Sequence, residues 1–189
     1  LADLERRARD PAYAASHTAT LDRAVAELLT HRRDVKRSAA GTVSMYRIKG
    51  GHLVRLLGAS TPLGAIGARD VDRFISARIA EGAASTTISK ELTTLRAALK
   101  LARRRGDYAR DPAEVIPAFS AEYKPRRRFL SPTELEKLLA QLEPDRSARV
   151  AFIVATGARW GESDRAERGD VTRKTVALRG TKTAASART

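Results

Sequence analysis

The chain of 189 residues carries 36 Lys and Arg against 22 Asp and Glu, which gives a formal net charge of +14 and a pI near 10.9. With 42% hydrophobic and 31% charged residues it is too apolar for a disordered polycation and too charged for an integral membrane protein, and the lack of cysteine excludes disulfide scaffolds, thiolate metal sites and cysteine nucleophiles. What remains is a folded chain of one or two domains whose positive field suits a polyanion, nucleic acid first, although 28 of the basic residues are Arg and Ala is abundant, as GC-rich coding alone would give.

The first clear period predicts a helix from about Thr18 to Arg37, with Leu21, Val25, Leu28 and Leu29 on one face, Thr20 and Asp22 as caps and Gly41 as the stop. A second helix is expected from near Thr42, carrying Val43, Tyr46, Leu53 and Leu56 and weakened by Gly50-Gly51. After the loop Ala59-Ser60-Thr61-Pro62, a short helix from Asp70 to Ala80 turns Val71, Phe74, Ile75 and Ile79 inward. The longest pattern starts at Ser85. It places Ile88, Leu92, Leu95 and Leu99 on one stripe and Lys90, Arg96 and Lys100 on the outer face, then closes with Arg103-Arg104-Arg105-Gly106.

Periodicity fails from Asp107 to Phe129, apart from one capped turn at Asp111-Pro112-Ala113-Glu114. Residues 117–129, ending in Lys124-Pro125-Arg126-Arg127-Arg128, form a basic linker. A new unit opens with Ser131 as N-cap, Pro132 at the first helical position, Glu134 closing a capping box and Leu130 able to staple to Leu135. Leu135, Leu138, Leu139 and Leu142 make this helix amphipathic. The next, from about Asp145, contains Val150, Phe152, Ile153 and Val154, a run expected to be buried on several sides, and it breaks at Thr156-Gly157. A short helix from Trp160 to Arg168 leads to Gly169-Asp170-Val171, after which Val176 and Leu178 alternate as a strand entering a hairpin turned by Gly180-Thr181-Lys182-Thr183.

Two small pieces of the second unit carry chemistry. In Thr156-Gly157-Ala158-Arg159-Trp160-Gly161-Glu162 an Arg stands at a junction between helices, and in Leu178-Arg179-Gly180-Thr181-Lys182-Thr183 a Lys sits at a turn. Either alone is more simply a solvated or salt-bridged surface cation. In this order, after a basic helical bundle, they resemble the tyrosine recombinase (phage integrase) family, and the resemblance covers nearly the whole chain. It implies a mainly α architecture: a four-helix SAM-like core-binding bundle over residues 18–116, the linker 117–129, and over residues 130–189 the N-terminal part of an α+β catalytic domain with a small β-hairpin or sheet. Thr-Gly-x-Arg-x-x-Glu matches the family's first catalytic box, and Phe129-Leu130-Ser131-Pro132-Thr133-Glu134-Leu135 resembles the opening of its catalytic domain.

The resemblance implies that Arg159 stabilises charge on a pentavalent phosphate, that Glu162 holds its guanidinium from behind, and that Lys182 protonates the leaving 5′-oxygen. No metal or other cofactor is called for. It further implies double-stranded DNA clamped between two domains, with candidate contacts at Arg47, Lys49, Ser85, Thr86, Thr87, Lys90, Arg96, Arg126, Arg127, Arg128, Thr181 and Thr183, and a full-length tetramer on two duplexes. Residues 1–17 would be a segment joining a missing arm-binding domain. The family's later His-x-x-Arg, further His or Trp, and Tyr nucleophile have no counterpart, because His and Tyr are absent after Tyr123. Tyr46, Tyr108 and Tyr123 precede Arg159 and are more simply core or linker aromatics. The chain, starting at Leu1 and stopping at Thr189, is expected to be a fragment that binds DNA without cutting it.

Two other classes stay open. A non-catalytic DNA-binding module derived from or resembling a recombinase would share every feature above, whereas an RNA-binding protein is favoured only by charge, with aromatics at 5%. No apolar run approaches the roughly 18 residues of a membrane span, and the N-terminus lacks a signal-peptide core, which predicts no membrane partner and a cytoplasmic, nucleoid-associated location.

Overall fold

Leu21, Ala24, Val25 and Leu28 recur at steps of three and one to three residues, and in the computed structural model they form the buried stripe of helix α1 (Leu21–Thr30). The structure describes residues 19–121 and 128–178, which divide into two compact units, Leu1–Lys124 and Pro125–Thr189. The described chain is mainly helical.

The start of α1 is capped by the chain rather than by its own side chains. Thr20 occupies the N-cap in an extended conformation, but its hydroxyl bonds to the Asp22 carboxylate, while the N–H groups of Leu21 and Asp22 donate to the carbonyls of Thr61 (3.0 Å) and Ala59 (3.2 Å). The expected stop at Gly41 is corrected: α1 runs into a π-helical turn (His31–Val35), closed by Lys36 N–H on the His31 carbonyl, and the chain then reverses at Arg37 with φ +46°. Gly41 instead lies in the first turn of α2 (Ala40–Leu57).

Gly50 and Gly51 both sit inside α2, and only one is required there. A Cβ on Gly50 would lie 2.5 Å from Val25 Cγ1 on α1, so this glycine is where the two helices approach, whereas a Cβ on Gly51 meets nothing within 4 Å. Gly50→Ala is therefore expected to destabilise the unit by about 1–3 kcal/mol through overpacking against a stiff β-branched side chain. Gly51→Ala is expected to stabilise it by about 0.5–1 kcal/mol. Urea denaturation of the two variants gives shifts of opposite sign if this packing is correct.

Helix α3 (Ala68–Ala80) buries Val71 and Phe74, but Ile79, expected inward, is 61% exposed because it falls on the opposite side from Phe74. Helix α4 (Ser85–Arg105) is the axis of the unit: Ile88, Leu92, Leu95 and Leu99 are buried, and Gly106 at φ +86° ends it with the Asp107 N–H returning to the Ala102 carbonyl. A single turn, α5 (Pro112–Val115), is capped by Asp111 accepting from Ala113 N (2.8 Å). Tyr46 and Tyr108 are both in this core.

A chain of charges runs through the same unit. Buried Glu91 on α4 takes Arg78 of α3 on both carboxylate oxygens (2.9 and 3.0 Å) and has Lys49 of α2 at 3.8 Å. Arg78 also bonds Glu81, which accepts Arg55 at 2.8 Å. Three helices are thereby tied by groups that cannot separate without leaving a charge in the core.

His31 is buried at the π-helical turn, and burial, followed by the cations of Arg104, Lys36, Arg105 and Arg32, pushes its imidazolium pKa below the ordinary histidine value. The unfolded chain then binds the extra proton. The stability tied to His31 is complete above the unfolded pKa near 6.5 and is lost as pH falls through the window between that value and the lower folded one. Urea midpoints measured from pH 7.5 down to 5 should decline in the native chain and decline less in His31→Gln.

The second unit begins with α6 (Pro132–Gln141), where Ser131 Oγ accepts from Glu134 N (3.2 Å) and the Glu134 carboxylate accepts from Ser131 N (2.9 Å), as the capping box predicts. Helix α7 (Pro144–Thr156) is held to it by Ser147 Oγ donating to the Leu139 carbonyl (3.0 Å). The expectation that the α7 apolar run is buried on several sides is corrected: neither helix has a buried residue, and Val154 is 56% exposed. The β-hairpin is not formed among the described residues. Val171 and Val176 meet in one isolated antiparallel bridge, because Thr172 N–H bonds the Thr175 carbonyl (2.8 Å) and reverses the chain after a single pair. The predicted tip at residues 180–183 lies outside the described residues.

Candidate functional site

Gly157 ends α7 at φ +65°, a left-handed turn that favours glycine, and this redirects the chain into α8 (Trp160–Ser163) with Arg159 at its N-cap. Ala158 is buried between them, so the two helices are joined by a fixed corner. The predicted helix to Arg168 is shorter than expected: α8 stops at Ser163, and a separate 3₁₀ turn (Arg168–Asp170) follows.

Glu162 does two jobs at this corner. One carboxylate oxygen accepts from the Arg159 backbone N–H (2.8 Å), and the other accepts from the Arg159 guanidinium Nη1 (2.6 Å), while the Glu162 side chain is fully buried. The guanidinium is thus held from behind by a sequestered carboxylate and still presents 58% of its side-chain surface outward. A fork oriented in this way can bond two oxygens of one oxyanion.

Arg149 was not singled out by the sequence, and it braces this corner from α7. Its Nε donates to Ser163 Oγ (3.0 Å), its Nη2 to the Trp160 carbonyl (2.9 Å) and to Asp164 (2.9 Å), and its guanidinium lies 3.9 Å from the centre of the Trp160 ring. The one signal in the sequence is an Arg at the edge of an otherwise apolar helical run. Nearby, a cleft of about 470 Å³ is lined by Thr156 and by Arg173 and Lys174, the exposed tip of the turn between Val171 and Val176.

Of the residues singled out in the second unit, Arg159 and Glu162 are brought together. Lys182, Thr181 and Thr183, and in the linker Arg126 and Arg127, lie outside the described residues. Arg128 is exposed and donates to Glu134 (2.8 Å). In the helical unit, Arg47 and Lys90 are exposed, Ser85, Thr86 and Thr87 form the half-buried first turn of α4, and Arg96 is half-buried. Lys49 is placed differently from the rest. Its side chain is only 17% exposed and faces Glu91, so it belongs to the internal charge chain. The one signal in the sequence lies on the partner: Glu91 falls between Ile88 and Leu95 on the apolar stripe of α4, where an acid needs an internal partner, but nothing local points to Lys49 as that partner.

No group of three or more potential metal-ligating side chains occurs among the described residues, and none of the helices described there is long and apolar enough to cross a membrane. No protein-family model matches the chain, and no curated protein and no solved structure matches it either.

Proposed function

We propose that this chain is a DNA-binding portion of a tyrosine-type site-specific recombinase, acting in DNA integration or exchange. The observation that carries the reading is the Thr156-Gly157-Ala158-Arg159-Trp160-Gly161-Glu162 corner, in which a buried carboxylate aims an exposed guanidinium. In this reading Arg159 binds two non-bridging oxygens of the scissile phosphate and strengthens that grip as charge builds on a pentavalent phosphorus. Glu162 is its positioning residue, and Arg149 positions the corner. A tyrosine hydroxyl attacks the phosphorus, the 3′-phosphotyrosine bond forms as the bond to the 5′-oxygen breaks, and Lys182 gives that oxygen its proton. The duplex lies against both units, with the complete recombinase a tetramer on two duplexes in the cytoplasm at the nucleoid.

The exposed apolar residues of α6 and α7 fit a catalytic domain with further structure against those faces. In this reading the nucleophile comes from outside this chain. The second unit has no Tyr or His, and Tyr46 and Tyr108 of the first are 8% and 1% exposed, inside the helical core. The same two facts favour a second reading, a non-catalytic DNA-binding module of recombinase type. Incubation with nicked suicide duplexes is expected to give a non-covalent complex and no covalent protein–DNA product. Covalent product would overturn the assignment of the nucleophile outside this chain.

A further inference from the structure

On the helical unit, a cleft of about 290 Å³ opens between the π-helical turn and the C-terminal part of α4, floored by Leu28 and Leu101 and walled by Arg32, Lys36, Lys100 and Arg104. Several neighbouring basic residues are paired: Arg23 and Arg105 share Glu27, Arg33 pairs with Asp34, and Arg103 with Asp111. None of the four in the cleft forms an ion pair among the described residues. Each helical element contributes two of them four residues apart, the spacing at which like charges repel. The dipole of α4 favours cations in its last turn and so accounts for Arg104, but not for Lys100 or for Arg32 and Lys36.

Arg32 adds a second observation. Its guanidinium lies 4.6 Å from the centre of the Tyr46 ring, and its Nε is buried without a hydrogen-bond partner. Buried N–H donors are nearly always satisfied, so Arg32 keeps an unmet donor beside the cleft. His31 lines the same cleft, and burial followed by the surrounding cations lowers its pKa.

We propose that this cleft is a binding site for a phosphate group, held by Arg32, Lys36, Lys100 and Arg104. Oxygens distributed around one phosphorus can each take a charged donor, and the phosphate removes the repulsion between the two pairs. The group is either a backbone phosphate of a duplex or a free phosphate. In the first form the inference rests on the DNA-binding reading above, and it adds a contact on a face distinct from the first turn of α4.

The test uses the whole chain, titrated with a mixed-sequence DNA duplex at several salt concentrations and separately with inorganic phosphate and pyrophosphate. Histidine NMR provides the second readout, since only His17, His31 and His52 contribute. The variant Lys100→Ala/Arg104→Ala removes two exposed cations. Arg69→Ala/Arg73→Ala on α3 removes the same charge elsewhere. With a duplex phosphate in the cleft, the first variant lowers the salt slope of binding by about one and the affinity at least about tenfold, the control does neither, and the His31 resonances move with duplex in the native chain and in the control but not in the cleft variant. If no duplex binds but phosphate or pyrophosphate moves the His31 resonances and the cleft variant abolishes the movement, the site stands for free phosphate and the DNA reading fails. If duplex binds equally well to both variants with an unchanged slope and His31 does not respond to any of the three, the cleft proposal is overturned while the DNA reading survives.

Discussion

Replacing Glu91 by Ala is expected to lower the stability of the helical unit by about 3–5 kcal/mol, because it strips the partner from a buried guanidinium instead of removing a surface pair. Glu91 has no exposed surface and Arg78 is only 7% exposed, so water cannot replace the two bonds of 2.9 and 3.0 Å. The marginal stability of a domain of this size makes that loss visible as partial or complete unfolding at room temperature. The paired replacement Glu91→Leu with Arg78→Met is expected to recover most of it, since exchanging both charges for apolar groups of similar volume leaves nothing unpaired, and Lys49 can extend its ammonium to water. A urea denaturation midpoint for Glu91→Ala within error of the native chain, or a double variant no better than the single, would show that the charge chain does not tie α2, α3 and α4 together.

The second large effect is expected at Glu162, where even the isosteric Gln fails. Both carboxylate oxygens accept hydrogen bonds from Arg159, one from its backbone and one from its guanidinium. Gln has one acceptor, and its amide would face a donor at the other position, which leaves a buried N–H without a partner at about 1–3 kcal/mol. Glu162→Gln is therefore expected to loosen the start of α8 and the aim of Arg159 together. Arg159→Ala is also expected to cost stability, because it takes the guanidinium from the buried Glu162 carboxylate while leaving the backbone N–H bond in place. Arg159→Lys is expected to behave as Ala toward phosphate, because an ammonium cannot span two oxygens. Near-ultraviolet circular dichroism of Trp160, the single tryptophan and part of α8, reads the first effect separately from DNA affinity. An unchanged Trp160 signal in Glu162→Gln would contradict the corner geometry.

Where local chemistry decides the structure, the sequence was informative. The capping box of Ser131 with Glu134, the Pro turn at Asp111, the glycine stops at Gly106 and Gly157 and the apolar stripe of α4 need only neighbours within a few residues. What it hid depends on distant partners. Gly41 looked like a stop, but the turn was made at Arg37, and the two glycines of α2 are distinguished only by Val25 on another helix. Ile79 and the α7 run were placed inside on hydrophobicity alone, which cannot say which side of a helix finds a partner. In the candidate site, Arg159 and Glu162 were visible at helical spacing, whereas Arg149 acts across a helix junction on partners 11 or more residues away and left almost no periodic signal. Lys49 read as an outward cation because its acid partner lies 42 positions downstream, at Glu91.

The central claim is that this chain engages duplex DNA through many phosphates, and competition binding measures it most directly. Labelled DNA duplex is titrated with the native chain from 50 to 200 mM salt, in parallel with an RNA duplex of the same sequence. The account predicts preference for DNA and a loss of affinity of roughly a thousandfold or more across that range, as expected for six or more phosphate contacts. Equal or tighter binding to RNA, or an affinity for DNA that does not change with salt, would contradict it.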